Sequence, residues 1–287
     1  MAKLKIGFIG LGLMGNPMSK NILKKGFEVS VFNRSAKRLS EFKKLGVSIF
    51  KTPKELAANS DVVITMITGP KDVEEVLFGK DGVVKGAKRD LVVIDMSTIG
   101  VKSAKNISKK LKKYGIEFID APVTGSVVRA TSGELTIFIG GDEKVYAKVK
   151  PVLSAMGTNL QYMGPSGSGQ AIKLINNAII ASQLTALAEG MILADTLKLS
   201  RKKVAEVLST TPLASPMMIM KFPNMVSGKF PTAFSMRNHL KDLKLAQQEN
   251  SSLPMLKLVG KLYKKGVERG LAESDNSAVL QVLESLH

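Results

Sequence analysis

The strongest constraint on the fold is a glycine-rich hexapeptide near the amino terminus. Gly10, Gly12 and Gly15 follow an apolar segment that predicts a strand over residues 4–9, and they open a helical pattern over 14–25. Glycines at this spacing permit a tight turn and let the backbone approach a pyrophosphate, which the helix N-terminus stabilises. A plain strand-to-helix turn would also use glycine, but the position at the start of a βαβ unit favours dinucleotide binding by Gly10, Leu11, Gly12, Leu13, Met14 and Gly15.

Short apolar segments alternate with amphipathic ones through the first half of the chain. Some of these segments, such as residues 62–64, consist only of Val and Ile, as expected for a sheet that helices cover on both faces. We therefore predict βαβ architecture. The candidate strands are residues 4–9, 28–32, 61–67, 91–95, 116–120, 135–139 and 159–163, and the candidate helices between them are 14–25, 36–45, 102–113 and 144–155.

The pattern changes after the glycine-rich segment 164–169. Residues 170–195 contain no proline and are rich in Ala, Leu and Ile, which predicts one long helix. Further helices are predicted after Ser200 and Pro216, over 237–249 and 253–268, and after Asp275 or Asn276. The predicted fold is α/β: an N-terminal Rossmann-type doubly wound sheet (residues 1–165) that binds NADP, then a long helix and an all-α C-terminal domain (166–287) for substrate binding and dimerisation.

Composition excludes several kinds of site. The chain has no Cys and only two His, so a thiolate metal site, a catalytic thiol or a histidine metal cage is not expected, and we predict no metal. The 42 Lys and Arg against 24 Asp and Glu give a net charge of +18. A basic nucleic-acid-binding or scaffold protein with an inactive dinucleotide fold is therefore the alternative of a different class. Because both halves are basic and aromatic residues are only 5%, we expect no specific nucleic-acid partner.

The amino terminus also resembles a signal peptide, since Lys3 and Lys5 precede the apolar residues 6–14. The glycines interrupt that stretch, and no uninterrupted run of about 18 apolar residues follows elsewhere. We expect a soluble, cytoplasmic protein with no membrane partner.

The end of the second predicted strand indicates which dinucleotide binds. NAD enzymes place Asp or Glu there to accept hydrogen bonds from the ribose, whereas this chain has Asn33, followed by Arg34 and Ser35. A neutral Asn33 does not repel a 2′-phosphate, and Arg34 offers a guanidinium to bind it. A polar turn is the alternative. NADP (as NADPH) is predicted, with NAD at lower affinity.

Four segments together carry a family resemblance. GFIGLGLMGNPM (residues 7–18), DAPVTGS (120–126), GSGQAIKLINN (167–177) and FSM with KDL (234–236 and 241–243) resemble, in this order, the blocks of the β-hydroxyacid dehydrogenases, which include 3-hydroxyisobutyrate dehydrogenase. The family interconverts small aldehyde acids and hydroxy acids with a nicotinamide cofactor. Where the family commonly has Ser-Gly-Gly, this chain has Thr124-Gly125-Ser126, which is similar to the glyoxylate and succinic semialdehyde reductase branch.

Two polar residues of the long helix are the candidate catalytic residues. Lys173 and Asn177 are four residues apart and therefore share one helix face. Carbonyl reduction needs a proton for the developing alkoxide, which the ammonium of Lys173 can stabilise and protonate. The Asn177 amide can hold the substrate. An ordinary solvated lysine is the alternative for Lys173.

Residues at the predicted carboxyl edge of the sheet are candidate binding groups, because ligands sit at this edge in open α/β sheets. Backbone N–H groups and hydroxyls of Thr124, Gly125 and Ser126 suit a substrate carboxylate, with a simple turn as the alternative. Ser97 is assigned to the substrate and Thr98 to the cofactor, with a helix N-cap as the competing role. The remaining candidates, with core packing as their competing role, line the cofactor groove: Met66, Ile67 and Thr68.

The resemblance implies three further site residues. Lys241 corresponds to a lysine that reaches toward cofactor and substrate, and Asp242 to a residue that positions the site, although by pattern alone both belong to a solvated helix face. Phe234 is expected to cover the nicotinamide pocket. His239 is expected to be a structural or surface residue and not a proton donor.

The predicted function is NADPH-dependent reduction of a small carboxylate-bearing aldehyde such as glyoxylate or succinic semialdehyde, with Lys173 as proton donor. NAD(P)-dependent 3-hydroxyisobutyrate dehydrogenase is the alternative, and imine reduction is disfavoured because Lys173 is present. We also predict a homodimer or homotetramer, because the helical domain has more apolar residues than it can readily bury, unless they pack on the long helix alone. These residues are Met191, Ile192, Leu193, Leu197, Leu199, Met217, Met218, Ile219, Met220 and Met225.

Overall fold

The computed structural model describes residues 4–286 of the 287-residue chain. The chain forms two compact units, of which the first ends at Lys173 and the second begins at Leu174. The sequence places this division at 165/166, before the long helix, whereas by contacts it lies inside that helix. The physical reason is that the first turn of the helix hydrogen bonds to loops of the sheet, as for Gln170 with Ile99 and Gly100.

The first unit contains one sheet. Six strands, β1 to β6, are parallel and lie in the spatial order β3-β2-β1-β4-β5-β6. This is the doubly wound order of a Rossmann fold, and it confirms the predicted fold class. Strand β8 pairs antiparallel with β6 and with β7, and β9 pairs parallel with β8. The strands are β1 (Lys5–Ile9), β2 (Glu28–Phe32), β3 (Ser48–Ile49), β4 (Val62–Thr65), β5 (Val92–Asp95), β6 (Glu117–Asp120), β7 (Val123–Thr124), β8 (Leu135–Gly141) and β9 (Gly157–Gly164).

Seven helices of the first unit connect these strands. Thr52 begins one of them by accepting a hydrogen bond from the Glu55 N–H, and Asp142 begins another by accepting from Lys144 and Val145. Three of the seven were absent from the predicted set. The helices are α1 (Gly15–Lys24), α2 (Ser40–Lys44), α3 (Pro53–Ala58), α4 (Pro70–Phe78), α5 (Val101–Lys112), α6 (Ser126–Ser132) and α7 (Glu143–Leu153).

The sheet is buried on both faces, which explains its apolar strands. Along β4, Val62 and Ile64 join one apolar cluster, whereas Val63 joins the other, because alternate side chains of a strand point to opposite faces. All of these side chains are fully buried. The two layers of helices therefore hold the strand ends in fixed positions, and the loops at those ends carry the predicted binding residues.

The second unit is helical, and the residues described from Leu174 onward form no named strand. Ser215 and Ser235 begin two of its helices by accepting hydrogen bonds from the N–H groups of Met218 and Asn238. Ser200 precedes a helix as predicted, but its side chain makes no capping bond there. The helices are α8 (Ser168–Thr196, shared with the first unit), α9 (Arg201–Leu208), α10 (Pro216–Ser227), α11 (Met236–Glu249), α12 (Pro254–Gly266) and α13 (Val279–Glu284).

Helix α8 is long and apolar enough to span a membrane by length and composition alone, with a mean hydropathy of 1.3 over its most apolar window. The core helix of a soluble protein passes the same test, and 44% of that window is buried within the protein. The measure therefore does not separate the predicted core helix from a membrane-spanning one.

The apolar residues of the helical domain that predict an interface are only partly exposed. Met191, Met218 and Met225 are buried, so these three residues do not add to the exposed apolar surface. They fill the interior, as the alternative of internal packing requires. About half or more of each side chain is exposed for Leu193, Leu197, Leu199, Ile219 and Met220.

Candidate active site

The glycine loop between β1 and α1 is shaped by close backbone contacts. Gly10 has φ +99°, and a Cβ there would lie 2.3 Å from the carbonyl oxygen of Met66. A Cβ on Gly15 would lie 1.9 Å from the carbonyl oxygen of Gly10. Both distances are far below contact distance, so the fold itself requires glycine at these two positions.

Gly12 differs from its neighbours in this loop. A Cβ placed on it would meet no atom of the described residues within 4 Å. The protein packing therefore does not require glycine here, whereas a ligand backbone that approaches the loop closely would. This open space beside the N-terminus of α1 fits the pyrophosphate of a dinucleotide, and Leu11, Gly12, Leu13 and Met14 would border it.

Asn33 connects the glycine loop to the turn after β2. Its Oδ1 accepts a hydrogen bond from the Leu11 N–H at 2.9 Å, and its Nδ2 donates to the carbonyl of Ser35 at 2.9 Å. Arg34 and Ser35 are exposed at this turn. The sequence identified the missing charge of Asn33, and the structure adds that this amide organises the loop.

Arg38 is a loop-supporting residue that the sequence interpretation missed. Its Nη1 donates to the carbonyl of Leu11 at 3.2 Å, so the glycine loop is held by Asn33 on its N–H side and by Arg38 on its carbonyl side. No motif marks Arg38, because the contact depends on how the first turn after β2 folds back.

The ends of β4 and β5 bring two further predicted groups together. The Ile67 N–H donates to Ser97 Oγ at 3.0 Å, and Met66 presents its carbonyl oxygen to Gly10. Thr68 is exposed and Thr98 is half-buried. The N-cap of α5 is Gly100, so the alternative that Ser97 or Thr98 caps this helix is wrong.

Asp95 is a buried carboxyl group at the end of β5. Its Oδ1 accepts hydrogen bonds from Thr65 Oγ1 at 2.7 Å and from the Ser97 N–H at 3.3 Å. Its Oδ2 is buried and has no hydrogen-bond partner among the described residues. Burial raises the pKa of Asp95 to about 7, against the lowering effect of these hydrogen bonds.

The free energy of unfolding is expected to fall with rising pH because of Asp95. A carboxyl group with a raised pKa binds its proton more tightly in the folded state, so its contribution is complete below about pH 4 and is lost as the pH rises through about 7. Asp95→Asn should make the decrease in the free energy of unfolding between pH 4 and 8 smaller by up to about 4 kcal/mol. Urea unfolding at several pH values measures it.

The exposed Asp81→Asn is the matched control, and it should leave the pH dependence unchanged. An equal slope in the wild type and Asp95→Asn would show that Asp95 is not protonated in the folded protein.

Thr124 ends β7, Ser126 begins α6, and Gly125 joins them in a strained turn. Gly125 has φ +135° and Ser126 has φ +62°, a left-handed conformation that non-glycine residues rarely adopt. The resemblance implies glycine at the position of Ser126, and this backbone conformation favours glycine. Backbone strain of this kind is concentrated at functional sites. The presence of serine in this conformation therefore favours a functional role for the Ser126 hydroxyl group.

Asp120 anchors the start of α8. Its Oδ1 accepts from the Gly167 N–H at 2.7 Å and its Oδ2 from the Gln170 N–H at 2.9 Å. Burial raises the pKa of Asp120 to about 6, although these N–H donors favour the charged form. Lys173 follows on this helix and is 8% exposed, so it is not the solvated lysine of the alternative interpretation.

Asn177 lies on α8 four residues after Lys173 and is held by α11. Its Nδ2 donates to Asp242 Oδ2 at 2.6 Å, and both side chains are buried. The Lys241 ammonium lies 3.0 Å from Asp242 Oδ1. Asp242 therefore fixes both Asn177 and Lys241, and the interpretation of Asp242 as a solvated face residue is wrong.

His239 is buried beneath this cluster. Its Nε2 lies 2.8 Å from the Asn177 carbonyl oxygen, which can only accept, so Nε2 donates this hydrogen bond, and its Nδ1 lies 3.0 Å from Asn276 Nδ2. The Phe234 ring packs against the His239 ring with centroids 4.9 Å apart. His239 is thus an interior residue that supports the Asn177 turn.

The predicted residues fall into two sets. Residues of the glycine loop, of the turn after β2 and of the ends of β4, β5 and β7 belong to the first unit, which also includes Lys173. Asn177, Phe234, Lys241 and Asp242 belong to the second. Helix α8 carries a member of each set. Among the described residues, no group of His, Asp or Glu could hold a metal ion.

Two family models match almost the whole chain. One is described as the NAD binding domain of 6-phosphogluconate dehydrogenase and matches residues 5–164. The other is described as the NAD-binding region of NADP-dependent 3-hydroxyisobutyrate dehydrogenase and matches residues 167–283.

Similar proteins cover the chain from end to end. Glyoxylate/succinic semialdehyde reductase 2, chloroplastic, of Arabidopsis thaliana is 34% identical over 99% of this chain and 81% of its own length. Mycobacterium tuberculosis 3-hydroxyisobutyrate dehydrogenase, solved with L-serine, is 31% identical with a TM-score of 0.89 and covers 98% and 99% of the two chains. A protein named Psf3, solved with NADP+ and 2-OPP, is 25% identical with a TM-score of 0.90 and covers 97% and 99%. The chain therefore belongs to the β-hydroxyacid dehydrogenase family of NAD(P)-dependent oxidoreductases.

Proposed function

We propose that this enzyme reduces small aldehyde acids, such as glyoxylate and succinic semialdehyde, to hydroxy acids with NADPH. The observation that carries the proposal is the pair on α8, a buried Lys173 with Asn177 four residues later, whose amide is fixed by Asp242. The similarity to the Arabidopsis reductase supports this substrate class.

Each candidate site residue has a separate role in the proposed reaction. A bound nicotinamide supplies the hydride. The Lys173 ammonium stabilises the developing alkoxide oxygen and donates a proton to it. One N–H of the Asn177 amide is used by Asp242, and the other donates to a substrate oxygen. Ser97, Thr124, Gly125 and Ser126 bind the substrate carboxylate, and Lys241 adds positive charge.

Steady-state kinetics with glyoxylate, succinic semialdehyde and 3-hydroxyisobutyrate, each with NADP(H) and NAD(H), tests the proposal. The highest kcat/KM is expected for an aldehyde acid with NADPH. The second candidate is 3-hydroxyisobutyrate dehydrogenase, which the similarity to the Mycobacterium tuberculosis enzyme favours. Faster turnover of 3-hydroxyisobutyrate than of either aldehyde acid would replace the first candidate by the second.

Arg34→Ala is expected to weaken NADPH binding and to leave NADH binding nearly unchanged. Only NADPH has the 2′-phosphate that Arg34 is proposed to bind. A charge-assisted hydrogen bond contributes about 1.5–3 kcal/mol, so the preference should fall by about 10- to 150-fold. Titration calorimetry with both cofactors measures it.

Arg38→Ala is the matched control for cofactor preference. Arg38 contacts the carbonyl of Leu11 in the loop that both cofactors share, so this variant should weaken both to a similar degree. An equal loss of both cofactors in Arg34→Ala would instead assign Arg34 a structural role.

We also propose that the protein is a homodimer or homotetramer through its helical domain. The exposed apolar side chains of α8, α10 and the loop after α8 support a second copy as the partner, because large exposed apolar surface is typical of interfaces. These residues are Leu193, Leu197, Leu199, Ile219 and Met220. Light scattering should give at least twice the single-chain mass of 30.9 kDa, and the single-chain value would exclude the assembly.

A further inference from the structure

Gln170 occupies the first turn of α8 and is fully buried. Its Oε1 accepts hydrogen bonds from the N–H groups of Ile99 at 2.9 Å and Gly100 at 3.1 Å. Its Nε2 donates to the carbonyl of Ser97 at 2.8 Å. One side chain thus binds three backbone groups of the loop between β5 and α5, which we call the 96–100 loop.

The 96–100 loop carries groups that the proposed reaction uses. Ser97 and Thr98 are assigned to substrate and cofactor, and Ser97 Oγ in turn accepts from the Ile67 N–H at the end of β4. The N–H groups of Ile99 and Gly100 are buried and point at Gln170, and a buried N–H without an acceptor is strongly unfavourable. The shape of this loop therefore depends on the Gln170 amide.

Gln170 is also tied to the helix that carries Lys173. Its backbone N–H donates to Asp120 Oδ2 at 2.9 Å, and Lys173 follows three residues later on the same side of the helix. Hydrogen bonds weaken steeply as they depart from linearity, so the amide fixes the rotation of this turn more sharply than apolar contact would.

We propose that Gln170 is a positioning residue. Its amide fixes the position of the 96–100 loop relative to the first turn of α8, and this determines where the Lys173 ammonium lies relative to the substrate oxygen. The inference rests on the proposed function, since it assigns Lys173 the proton transfer. Gln170 itself contacts backbone and not substrate. Displacing a reacting group by about 1 Å can lower the rate by about 100-fold, so a small displacement of the 96–100 loop relative to α8 has a large kinetic effect.

Two substitutions separate the donor and acceptor roles of the amide. Gln170→Glu keeps an oxygen for the Ile99 and Gly100 N–H groups but replaces the donor to Ser97 by a carboxylate oxygen, which the Ser97 carbonyl repels. The methionine side chain of Gln170→Met has a similar length but provides neither an acceptor for the Ile99 and Gly100 N–H groups nor a donor for the Ser97 carbonyl. Protonation of the new carboxyl group restores a donor, and burial raises the pKa of such a group.

The kinetic expectation follows from this chemistry. With glyoxylate and NADPH, Gln170→Glu should lower kcat about 10- to 100-fold at about pH 8, a larger factor than its effect on KM for NADPH. The ratio of variant to wild-type kcat should recover as the pH falls to about 6, because the protonated carboxyl donates to Ser97 again. A loss that does not vary with pH would overturn the proposal.

A double-mutant cycle with Lys173→Ala tests whether Gln170 acts through Lys173. In the Lys173→Ala background, either Gln170 variant should change the residual kcat by less than about 2-fold. The same factor of loss in both backgrounds would overturn the positioning role and leave the proposed function intact. A loss of less than about 10-fold for Lys173→Ala alone would contradict the proposed function itself.

Hydrogen exchange of the cofactor-free protein gives a readout that is independent of activity. The Ile99 and Gly100 amides should stay protected in Gln170→Glu and lose protection in Gln170→Met, while the strands keep theirs. Protection of these amides in Gln170→Met would also overturn the proposal. Gln247→Glu is the matched control: it removes the Nε2–H that Leu256 O accepts at 2.9 Å, and it should leave kcat and its pH profile unchanged.

Discussion

Lys173→Ala is expected to lower kcat by about 10²- to 10⁴-fold while NADPH affinity stays nearly the same. General acid catalysis typically contributes a factor of this size, and the ammonium acts on the carbonyl oxygen and not on the cofactor. Lys173→Arg should not restore the rate, because a guanidinium is too weak an acid to give up a proton. Stopped-flow measurement of NADPH oxidation, together with NADPH titration, separates the two effects.

The exposed Lys202 of α9 provides the matched control, and Lys202→Ala should leave kcat unchanged. A decrease of only about 10-fold in Lys173→Ala would contradict the role of Lys173 as proton donor. A large loss of NADPH affinity would instead assign the lysine to the cofactor.

Lys221→Met is expected to lower the free energy of unfolding by about 3–5 kcal/mol, because it leaves the Asp275 charge buried without its partner. Lys221 Nζ lies 2.7 and 2.8 Å from the two oxygens of Asp275, and the side chains are 4% and 0% exposed. Asp275 Oδ2 also accepts from the N–H groups of Ala233 and Phe234, so the pair fixes the segment that begins α11. Urea unfolding measures the loss.

Acid provides an independent test of this ion pair. Burial alone would raise the pKa of Asp275, but the Lys221 charge and the hydrogen bonds from Lys221 and Ser277 bring it below its ordinary value. A depressed pKa contributes stability above the ordinary carboxyl range, and this contribution is lost as the pH falls. Lys221→Met should therefore lose less stability on acidification than the wild type does.

The exposed pair of Lys203 and Glu206, 3.6 Å apart, serves for comparison. Lys203→Met should change the free energy of unfolding by less than about 1 kcal/mol, because water screens exposed ion pairs. A similarly small change for Lys221→Met would show that Asp275 finds other compensation.

Strong periodicity explains what the sequence predicts well. The strand over 28–32 is observed with the predicted bounds, and the predicted helices over 14–25 and 102–113 are shifted or shortened by only a residue at each end. The two-residue strands β3 and β7 have too few residues for a period, and the short helices α3 and α6 span fewer than two turns. Helix α4 has nine residues and is amphipathic, so its length does not explain why it is absent from the predicted set.

Only some of the candidate site residues can be predicted from local sequence. Local spacing predicts the glycine loop and the pair of Lys173 and Asn177 as site residues, because both patterns depend on residues close in sequence. Arg38 and Gln170 escape detection because their partners are backbone groups far along the chain, as with Gln170 and Ser97. The burial of Asp242 likewise depends on α8, which no pattern within α11 reveals.

The double use of Asn33 constrains how cofactor preference can evolve. Aspartate at this position would retain the acceptor for the Leu11 N–H and would repel a 2′-phosphate, as a change toward NAD requires. It would also lose the donor to Ser35 and bring a carboxylate oxygen against that carbonyl. An NADPH-dependent enzyme with this turn that acquires NADH use by this route must therefore rebuild the turn after β2 as well, so substitutions in the two places are expected to be epistatic and to be acquired together.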